Sequence, residues 1–399
     1  MNGSRDDSDA GRAGTGSAAG NGPVVGPGPR DGDGVGALSP VRIVGTGLIG
    51  TSVGLALRAR GVRVTLADPS PTACALARDL GAGELATDAD PEPAVVVAAA
   101  PPDVVGSVVA AELAAHPTAV VTDVASVKAA ILAELVAGGA DVSRYVGSHP
   151  MAGRERSGAI SGRPDLFEGR PWVVVPHEDS AVNAVETVTA LALATGGAPV
   201  RMPAEEHDAA VAAVSHVPQV AASLVAARLR DLPTEAVGLS GQGVRDVTRI
   251  AASDPALWTQ ILVGNAGAVS SVLRDVLVAL GDVVEALDVL RDDPDADAPG
   301  ARSTLAAMLA DGNAGHARIP GKHGAAPSLF TTVTVLIPDT PGMLGRVFAD
   351  VGAEGVNIED VRIEHALGRP VGVAHLLVAP ADADPLRAGL LARGWNVTE

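Results

Sequence analysis

The sequence predicts three folded parts: a parallel α/β domain, then an all-α domain, then a small α+β module. Apolar strand patterns alternate with helical patterns from Val41 to about residue 200, which predicts a parallel sheet with helices on both faces. Beyond Pro203 the strand patterns disappear and long amphipathic stretches follow. Strand patterns return at Thr331 in a β-α-β-β-α order, with Val397 starting a further strand, which is the order of a ferredoxin-like module.

The elements of the α/β part follow from short apolar runs separated by helical periodicity. The runs predicted as strands are Val41–Val44, Val62–Ala67, Val95–Ala99, Ala119–Thr122 and Trp172–Val175, with an extended stretch at Tyr145–Gly147. The segments predicted as helices are Thr51–Arg60, Thr72–Leu80, Val104–His116 and Ala129–Val136.

The helical part has recognisable start signals. Pro203 with Glu205 and Glu206 places a proline in the first turn and two carboxylates at the positive end of the helix dipole. Asp254-Pro255 supplies an N-cap and a first-turn proline for a second helix. A long amphipathic run from about Asn265 to Leu290 has a broad apolar face, which favours packing against a second copy of the chain, so we expect a homodimer.

Composition limits the possible partners and the setting. The 399 residues carry 29 basic and 47 acidic side chains, a formal net charge of −18, which disfavours nucleic acid and anionic membranes as partners. No sufficiently long, charge-free apolar stretch is evident, so no membrane span is expected. The single cysteine, Cys74, excludes an intrachain disulfide and a multi-cysteine metal site, so no metal is expected. A chain without disulfides is typical of the cytoplasm, so a cytoplasmic location is expected.

The predicted domain boundaries follow from these patterns. The leader is rich in Gly and Pro and has no apolar periodicity, so it is expected to be disordered. The predicted division is a disordered segment 1–40, the α/β domain 41–200, the helical dimerisation domain 201–312, a linker 313–328 and the small α+β module 329–399.

A glycine motif lies between the first strand and the first helix. Gly45, Gly47 and Gly50 have the G-x-G-x-x-G spacing of a Rossmann-type nucleotide site, in which glycines allow the tight turn and the close approach of a pyrophosphate. The amides of this turn, including those of Leu48 and Ile49, are expected to bind the diphosphate. Asp68 ends the second strand, where a carboxylate accepts from ribose hydroxyls and repels a 2′-phosphate, which predicts NAD over NADP.

Three further segments carry polar residues suited to chemistry. Asp123–Lys128 and Ser148–Glu155 each follow an extended segment of the α/β part, and open α/β sheets bind ligands at the carboxyl ends of their strands. One of only two lysines in the chain is Lys128. The third segment is in the helical part and comprises Ser215-His216-Val217-Pro218 and Gly241–Arg249.

In their order along the chain, these segments resemble the prephenate/arogenate dehydrogenase family. The resemblance extends from about Val41 to Gly324. The last part resembles an ACT domain through Pro338-Asp339-Thr340-Pro341-Gly342 and Gly355-Val356-Asn357-Ile358. The resemblance implies an NAD-dependent oxidative decarboxylation of prephenate to 4-hydroxyphenylpyruvate, on the route to L-tyrosine.

The resemblance also implies roles for individual residues. His149 matches the histidine that hydrogen-bonds the ring hydroxyl of the substrate, and neutral imidazole is well suited to take a proton near pH 7. Ser126 matches the residue that orients this histidine and the nicotinamide. Arg249 matches the side chain that binds a substrate carboxylate, for which a planar guanidinium is suited. His216 matches a histidine lining the substrate pocket, and Lys128 supports either the cofactor or the loop.

The ACT-like module implies an effector. Asp339, Gly342 and Asn357 occupy the loop and strand start that hold an amino acid in such modules, and L-tyrosine, the end product, is the expected effector; a purely dimerising module is the alternative. Two positions depart from the family pattern: Gln219 replaces a common histidine and Arg154 a common threonine. Arg154 adds positive charge, which mildly favours the pyruvyl side chain of prephenate.

Other activities remain open at this level. Arogenate, or an amino-substituted prephenate, is an alternative substrate. A regulator that binds NAD and an amino acid without turnover is a different class, although the retention of Ser126, His149 and Arg249 argues against it. A β-hydroxyacid-type dehydrogenase shares the general plan, but such enzymes usually rely on a lysine in the helical domain, and residues 203–300 contain none.

Overall fold

The computed structural model describes residues 35–153, 158–292, 300–320, 330–365 and 371–398. Two compact units divide the chain, Met1–Asp208 and Ala209–Glu399. Most of the predicted disordered segment lies outside the described residues. Its last part does not: Val35–Leu38 forms a 3₁₀ turn and Leu38 is buried, so folded chain begins before the predicted Val41.

The first unit contains the predicted parallel sheet. Its five strands are β1 (Val41–Val44), β2 (Val64–Ala67), β3 (Glu84–Leu85), β4 (Val95–Ala98) and β5 (Val120–Asp123). They lie in the order β3-β2-β1-β4-β5 and every pair is parallel, which is the order of a doubly wound nucleotide-binding sheet. Of these five strands, β3 was not predicted from the sequence, because a strand of two exposed residues is too short to show a periodic pattern.

Both faces of this sheet are buried, as the pattern predicted. Val95 and Val97 of β4 belong to one apolar cluster, and Val96 and Ala98 belong to another. Successive side chains of a strand point to opposite faces, so the two clusters lie on opposite sides of the sheet. The helices around it are α1 (Leu48–Arg58), α2 (Pro71–Asp79), α3 (Val105–Ala115) and α4 (Ala129–Ala137).

A second, three-stranded sheet completes the first unit. It consists of β6 (Gly147–Pro150), β7 (Pro171–Val175) and β8 (Ala198–Arg201), with α5 (Val182–Ala194) between the last two. β6 and β7 are antiparallel, and His149 pairs with Val173. The predicted extended stretch Tyr145–Gly147 is therefore displaced: the strand proper begins at Gly147 and contains His149, because the pairing with β7 extends through Pro150.

Helices dominate the described chain from Ala204 to His316. The described helices are α6 (Ala204–Val211), α7 (Val217–Leu229), α8 (Thr234–Val237), α9 (Gln242–Thr248), α10 (Pro255–Gly264), α11 (Ala266–Asp292) and α12 (Ala301–His316). A π-helical turn at Ala212–His216 joins α6 to α7. The predicted linker 313–328 begins too early, because α12 continues to His316; residues 321–328 lie outside the described residues.

One continuous helical run is long and apolar enough to cross a membrane, although the sequence predicted no membrane span. Ala204–Leu229 spans 26 residues and meets the length and hydropathy expected of a membrane span, with 33% of its most apolar window buried. The bent pair α10 and α11 meets the same criteria when taken together. This is weak evidence for a span, because core helices of soluble proteins meet the same criteria.

The chain ends in a four-stranded antiparallel sheet. Its strands are β9 (Thr331–Pro338), β10 (Asp360–His365), β11 (Val371–Val378) and β12 (Asn396–Thr398), in the order β10-β11-β9-β12. The helices α13 (Met343–Ala353) and α14 (Pro380–Ala392) bury Val347, Leu386 and Leu390 in one core with alternate residues of β9. The β-α-β-β-α order and the extra strand at Val397 are confirmed.

Candidate functional site

The turn between β1 and α1 is built for close approach by a ligand. Gly45 has φ of 102°, and a Cβ there would lie 2.4 Å from the carbonyl oxygen of Ala99. A Cβ on Gly50 would lie 2.0 Å from the carbonyl oxygen of Gly45, so both glycines are required for packing. A Cβ on Gly47 would meet nothing within 4 Å. The space beside Gly47, at the start of α1, therefore fits the diphosphate of a dinucleotide.

Asp68 is held in place beside this turn. Its Oδ2 accepts from the amide of Thr46 at 2.7 Å and from the Thr46 hydroxyl at 2.9 Å. Its Oδ1 accepts from the amide of Ser70 at 2.8 Å. A carboxylate has about four acceptor positions, so these three bonds orient Asp68 and leave roughly one for a ribose hydroxyl. The geometry suits the predicted role of Asp68 toward NAD.

Lys128 lies inside a buried polar cluster. The ammonium of Lys128 pairs with Oδ1 of Asp123, while the Tyr145 hydroxyl donates to Oδ2 of Asp123 at 2.7 Å. Burial lowers the pKa of Lys128, and Asp123 opposes that change. Burial, together with Asp123, raises the pKa of Tyr145 well above its ordinary value. Lys128 was predicted to support either the cofactor or the loop. Because its side chain is only 1% exposed, the geometry favours support of the loop.

His149 lies at the end of a chain of polar contacts. Its Nδ1 is 2.9 Å from Nε2 of His207, and Nδ1 of His207 is 2.8 Å from Oδ1 of Asp208. His207 and Asp208 are buried, whereas His149 is partly exposed. Asp208 also accepts from the amides of Lys128 and Ala129 at 2.9 Å each, at the start of α4.

The loop that carries Ser126 is fastened to the strand that carries His149. The Ser148 hydroxyl donates to the carbonyl of Asp123 at 2.7 Å, and the Thr122 hydroxyl donates to Ser148 at 3.1 Å. These bonds join the carboxyl end of β5 to β6. Ser126, which follows Asp123 by three positions, is partly exposed at that end of the sheet, where ligands of α/β proteins bind.

The second unit holds the other two predicted catalytic residues. His216 is buried at the end of the π-helical turn, with Nδ2 of Asn265 at 3.1 Å from its Nδ1 and the Trp258 ring 6.0 Å away, edge to face. Arg249 is exposed at the C-terminal end of α9. π-helical turns inside α-helices often occur at functional sites.

The structure links Lys128 and His149 through Asp208 and His207, and it adds residues that the sequence did not indicate. His207, Asp208 and Tyr145 were not singled out. The available signal was that His207 and Asp208 follow Glu205 and Glu206, so that four polar residues stand in a row near the start of the helix. Sequence alone could not show that this pair is buried against β6 and α4.

The predicted effector residues are exposed on the C-terminal module. Asp339 lies in the loop after β9, and Gly342 follows at the start of α13 with φ of 89°. Asn357 lies before β10, where its side-chain amide donates to the carboxylate of Glu359.

Comparisons with known proteins identify the family of the chain. Two family models match the chain: the nucleotide-binding domain of prephenate dehydrogenase over residues 53–200, and its dimerization domain over residues 203–296. NovF of Streptomyces niveus, a probable prephenate dehydrogenase, is 37% identical over 358 residues, covering 88% of this chain and 98% of the relative. The prephenate dehydrogenase of Bacillus subtilis strain 168 is 31% identical over 344 residues, covering 81% and 87%.

A solved structure shares the fold. The prephenate dehydrogenase of A. aeolicus, crystallised with hydroxyphenyl propionate and NAD+, has a TM-score of 0.60 and 27% identity, covering 70% of this chain and 97% of its own. A doubly wound parallel sheet with a glycine turn, followed by a helical domain, defines a nucleotide-dependent dehydrogenase. The chain belongs to the prephenate dehydrogenase family, and with it to the NAD-dependent oxidoreductases.

Proposed function

We propose that this chain oxidises prephenate with NAD to 4-hydroxyphenylpyruvate and CO₂. The observation that carries the proposal is His149, a partly exposed imidazole on β6 beside the carboxyl end of β5, in a chain similar to prephenate dehydrogenases. NAD, when bound, accepts a hydride from ring carbon C4. Loss of the ring carboxylate then makes the ring aromatic, so that step needs no separate acid.

His149 serves as the proton acceptor for the C4 hydroxyl. Imidazole is the side chain whose ordinary pKa lies nearest neutral pH. Its protonated and neutral forms therefore differ little in free energy near neutral pH, so it can both accept and return a proton. The product carries a phenol, so His149 returns the proton to the phenolate oxygen and no net proton is released. Ser126, at the same end of the sheet, orients the base and the nicotinamide.

Residues of the turn and of β2 hold the cofactor. The amides of Leu48 and Ile49 at the start of α1 bind the diphosphate, because Gly47 leaves that approach open. Asp68 accepts from the ribose hydroxyls, and its negative charge would repel the 2′-phosphate of NADP.

Arg249 and His216 bind the substrate in this proposal. An exposed guanidinium suits a carboxylate, and prephenate carries two. Arg154, proposed to favour the pyruvyl side chain, lies outside the described residues. Gln219, the other departure from the family pattern, is buried and lies 3.4 Å from the hydroxyls of Ser223 and Ser253. Arogenate, whose side chain carries an amine, is the alternative substrate.

The C-terminal module regulates this activity. Its β-α-β-β-α-β order supports an ACT-type domain, and the loop with Asp339 and Gly342 together with Asn357 forms the proposed L-tyrosine site. The proposal also makes the enzyme a homodimer, since the matched helical segment is a dimerization domain in the family, and it keeps the expected cytoplasmic location.

A substrate panel tests the activity. Purified enzyme is mixed with NAD+ and prephenate or arogenate, and NADH is followed at about 340 nm, with and without L-tyrosine. We expect turnover of prephenate, a higher kcat/KM for prephenate than for arogenate, and inhibition by tyrosine. His149→Asn should lower kcat by about 10²–10⁴-fold without loss of NAD binding. Tyrosine binding without turnover of either substrate would support the regulator instead.

A further inference from the structure

The buried pair His207 and Asp208 lies directly behind the proposed base. We propose that His207 and Asp208 are positioning residues that hold His149 in the tautomer whose Nε2 carries the lone pair. The contacts that carry this inference are the 2.9 Å approach of His207 Nε2 to His149 Nδ1 and the 2.8 Å approach of His207 Nδ1 to Asp208 Oδ1. The inference rests on the proposed function of His149 as proton acceptor.

The tautomers follow from which atoms can donate. An ionised carboxylate only accepts, so Nδ1 of His207 must carry the proton that bonds Asp208. A neutral imidazole has one N–H, so Nε2 of His207 is an acceptor. Nδ1 of His149 must therefore be the donor in the contact between the two rings. Neutral His149 then has its lone pair on Nε2, which is the state required of a base acting from that atom.

Asp208 meets the first condition of this argument. Burial alone would raise its pKa, but the hydrogen bond from His207 and those from the amides of Ala129 and Lys128 outweigh burial, and the pKa of Asp208 is lowered. Asp208 is therefore a carboxylate at neutral pH.

Two further titratable groups interact with Asp208. The ammonium of Lys128 and the hydroxyl of Tyr145 are both close enough to interact with Asp208, and both are bonded to Asp123. His207 Nδ1 lies 2.8 Å from Oδ1 of Asp208.

The pair acts without receiving the proton. When His149 takes the proton from the C4 hydroxyl, its ring becomes an imidazolium, and its Nδ1–H remains bonded to His207. The Nδ1–H of His207 remains bonded to Asp208, whose negative charge offsets the new positive charge on His149. The proton then leaves from Nε2 to the phenolate oxygen of the product.

A nuclear magnetic resonance experiment tests the tautomer without needing turnover. The full-length protein is labelled with ¹⁵N-histidine and observed above the ordinary imidazole pKa of about 6.5. His149→Asn and His207→Asn assign the two rings. We expect a protonated Nδ1 and an unprotonated Nε2 on His149 in the wild type. A protonated Nε2 on His149 would overturn the proposal, whether or not the enzyme turns prephenate over.

Kinetics of Asp208→Asn test the consequence. An asparagine amide can donate to His207 and reverse both tautomers, so kcat should fall about 10²–10³-fold, with KM for prephenate changed less than about threefold. Loss of the anion makes His149 a weaker base, so the acidic limb of the kcat/KM profile should move about one unit lower in pH. In a His149→Asn background, Asp208→Asn should change the residual kcat less than about twofold.

Two controls separate positioning from folding. Asp141→Asn removes a carboxylate that caps the turn Val142–Arg144 through Ser143, and it should leave kcat unchanged. An equal loss of kcat from Asp208→Asn with and without His149 would show that Asp208 only stabilises the fold, and would overturn the proposal. If Asp208→Asn does not fold, the ring protonation of the wild-type protein decides. If the wild type turns over no substrate, the proposed function fails separately.

Discussion

At the scale of single residues, the region behind the proposed site contains several buried charged side chains. Asp123, Lys128 and Asp208 are all 6% exposed or less, and each has a partner of opposite charge or several donors. Taking an ion out of water costs several kcal/mol, which only good geometry offsets. These residues therefore stabilise the loop geometry as a group, and loss of one partner leaves another charge buried.

Replacement of Lys128 by methionine tests that dependence. Lys128→Met keeps the side-chain length but leaves Asp123 buried without its cation, so the free energy of unfolding should fall by about 3–5 kcal/mol. Urea denaturation measures the change. Arg78→Met, which removes an exposed pair with Asp79, is the matched control and should cost less than about 1 kcal/mol. Equal losses from the two variants would contradict the buried role of Lys128.

The lowered pKa of Asp208 predicts a pH dependence of stability. A carboxyl whose pKa is lower in the folded state stabilises the fold above its unfolded pKa of about 3.9, and that contribution is lost as pH falls through the folded pKa. Asp208→Asn should therefore destabilise the protein most near pH 7, and the difference from wild type should shrink below about pH 4. Thermal melts across pH measure it; a constant difference would contradict the prediction.

At the scale of elements, the glycine turn combines packing and ligand access in one motif. Gly45 and Gly50 are surrounded by backbone, whereas Gly47 opens on space. The G-x-G-x-x-G spacing could be read from sequence, because the strand before it and the helix after it are both apolar and periodic. The sequence could not show which glycine is needed for packing and which for ligand access, because that depends on the position of Ala99 at the end of the neighbouring strand.

Alanine at two of these glycines should therefore have different effects. Gly50→Ala forces a Cβ against the Gly45 carbonyl, so we expect a lower melting temperature or insoluble protein. Gly47→Ala has room for its Cβ at φ of −71°, so the melting temperature should change little. Its KM for NAD+ should still rise about tenfold, because the methyl group occupies the diphosphate approach. An unchanged KM in Gly47→Ala would place the diphosphate elsewhere.

At the scale of the whole molecule, the long helix α11 has an unusual amount of exposed apolar surface. Leu277 and Val278 are each 66% exposed, and Leu280, Val284 and Leu287 are at least half exposed. A 27-residue helix with so broad an apolar face normally packs against another element. Together with the matched dimerization domain, this face supports the proposed homodimer.

Charge placed on α11 tests the proposed dimer. Leu277→Asp with Val284→Asp should convert the protein to monomers, because each substitution places an unpaired charge in an apolar interface. Light scattering after gel filtration measures the mass. Val182→Asp, at an exposed valine of α5, is the control and should leave the mass unchanged. A dimer that survives both α11 substitutions would place the interface elsewhere.

Local sequence patterns were enough to predict most of the helices and strands and to indicate the family. Periodicity is local, so the strands of the parallel sheet, the change to helices and the C-terminal order could be predicted, and the ordered motifs indicated the chemistry. Only the tertiary structure showed that Lys128 is buried against Asp123 and that His207 and Asp208 stand behind His149. These contacts could not be predicted because burial and hydrogen bonding join residues far apart in the chain, and no local pattern indicates which distant groups will meet.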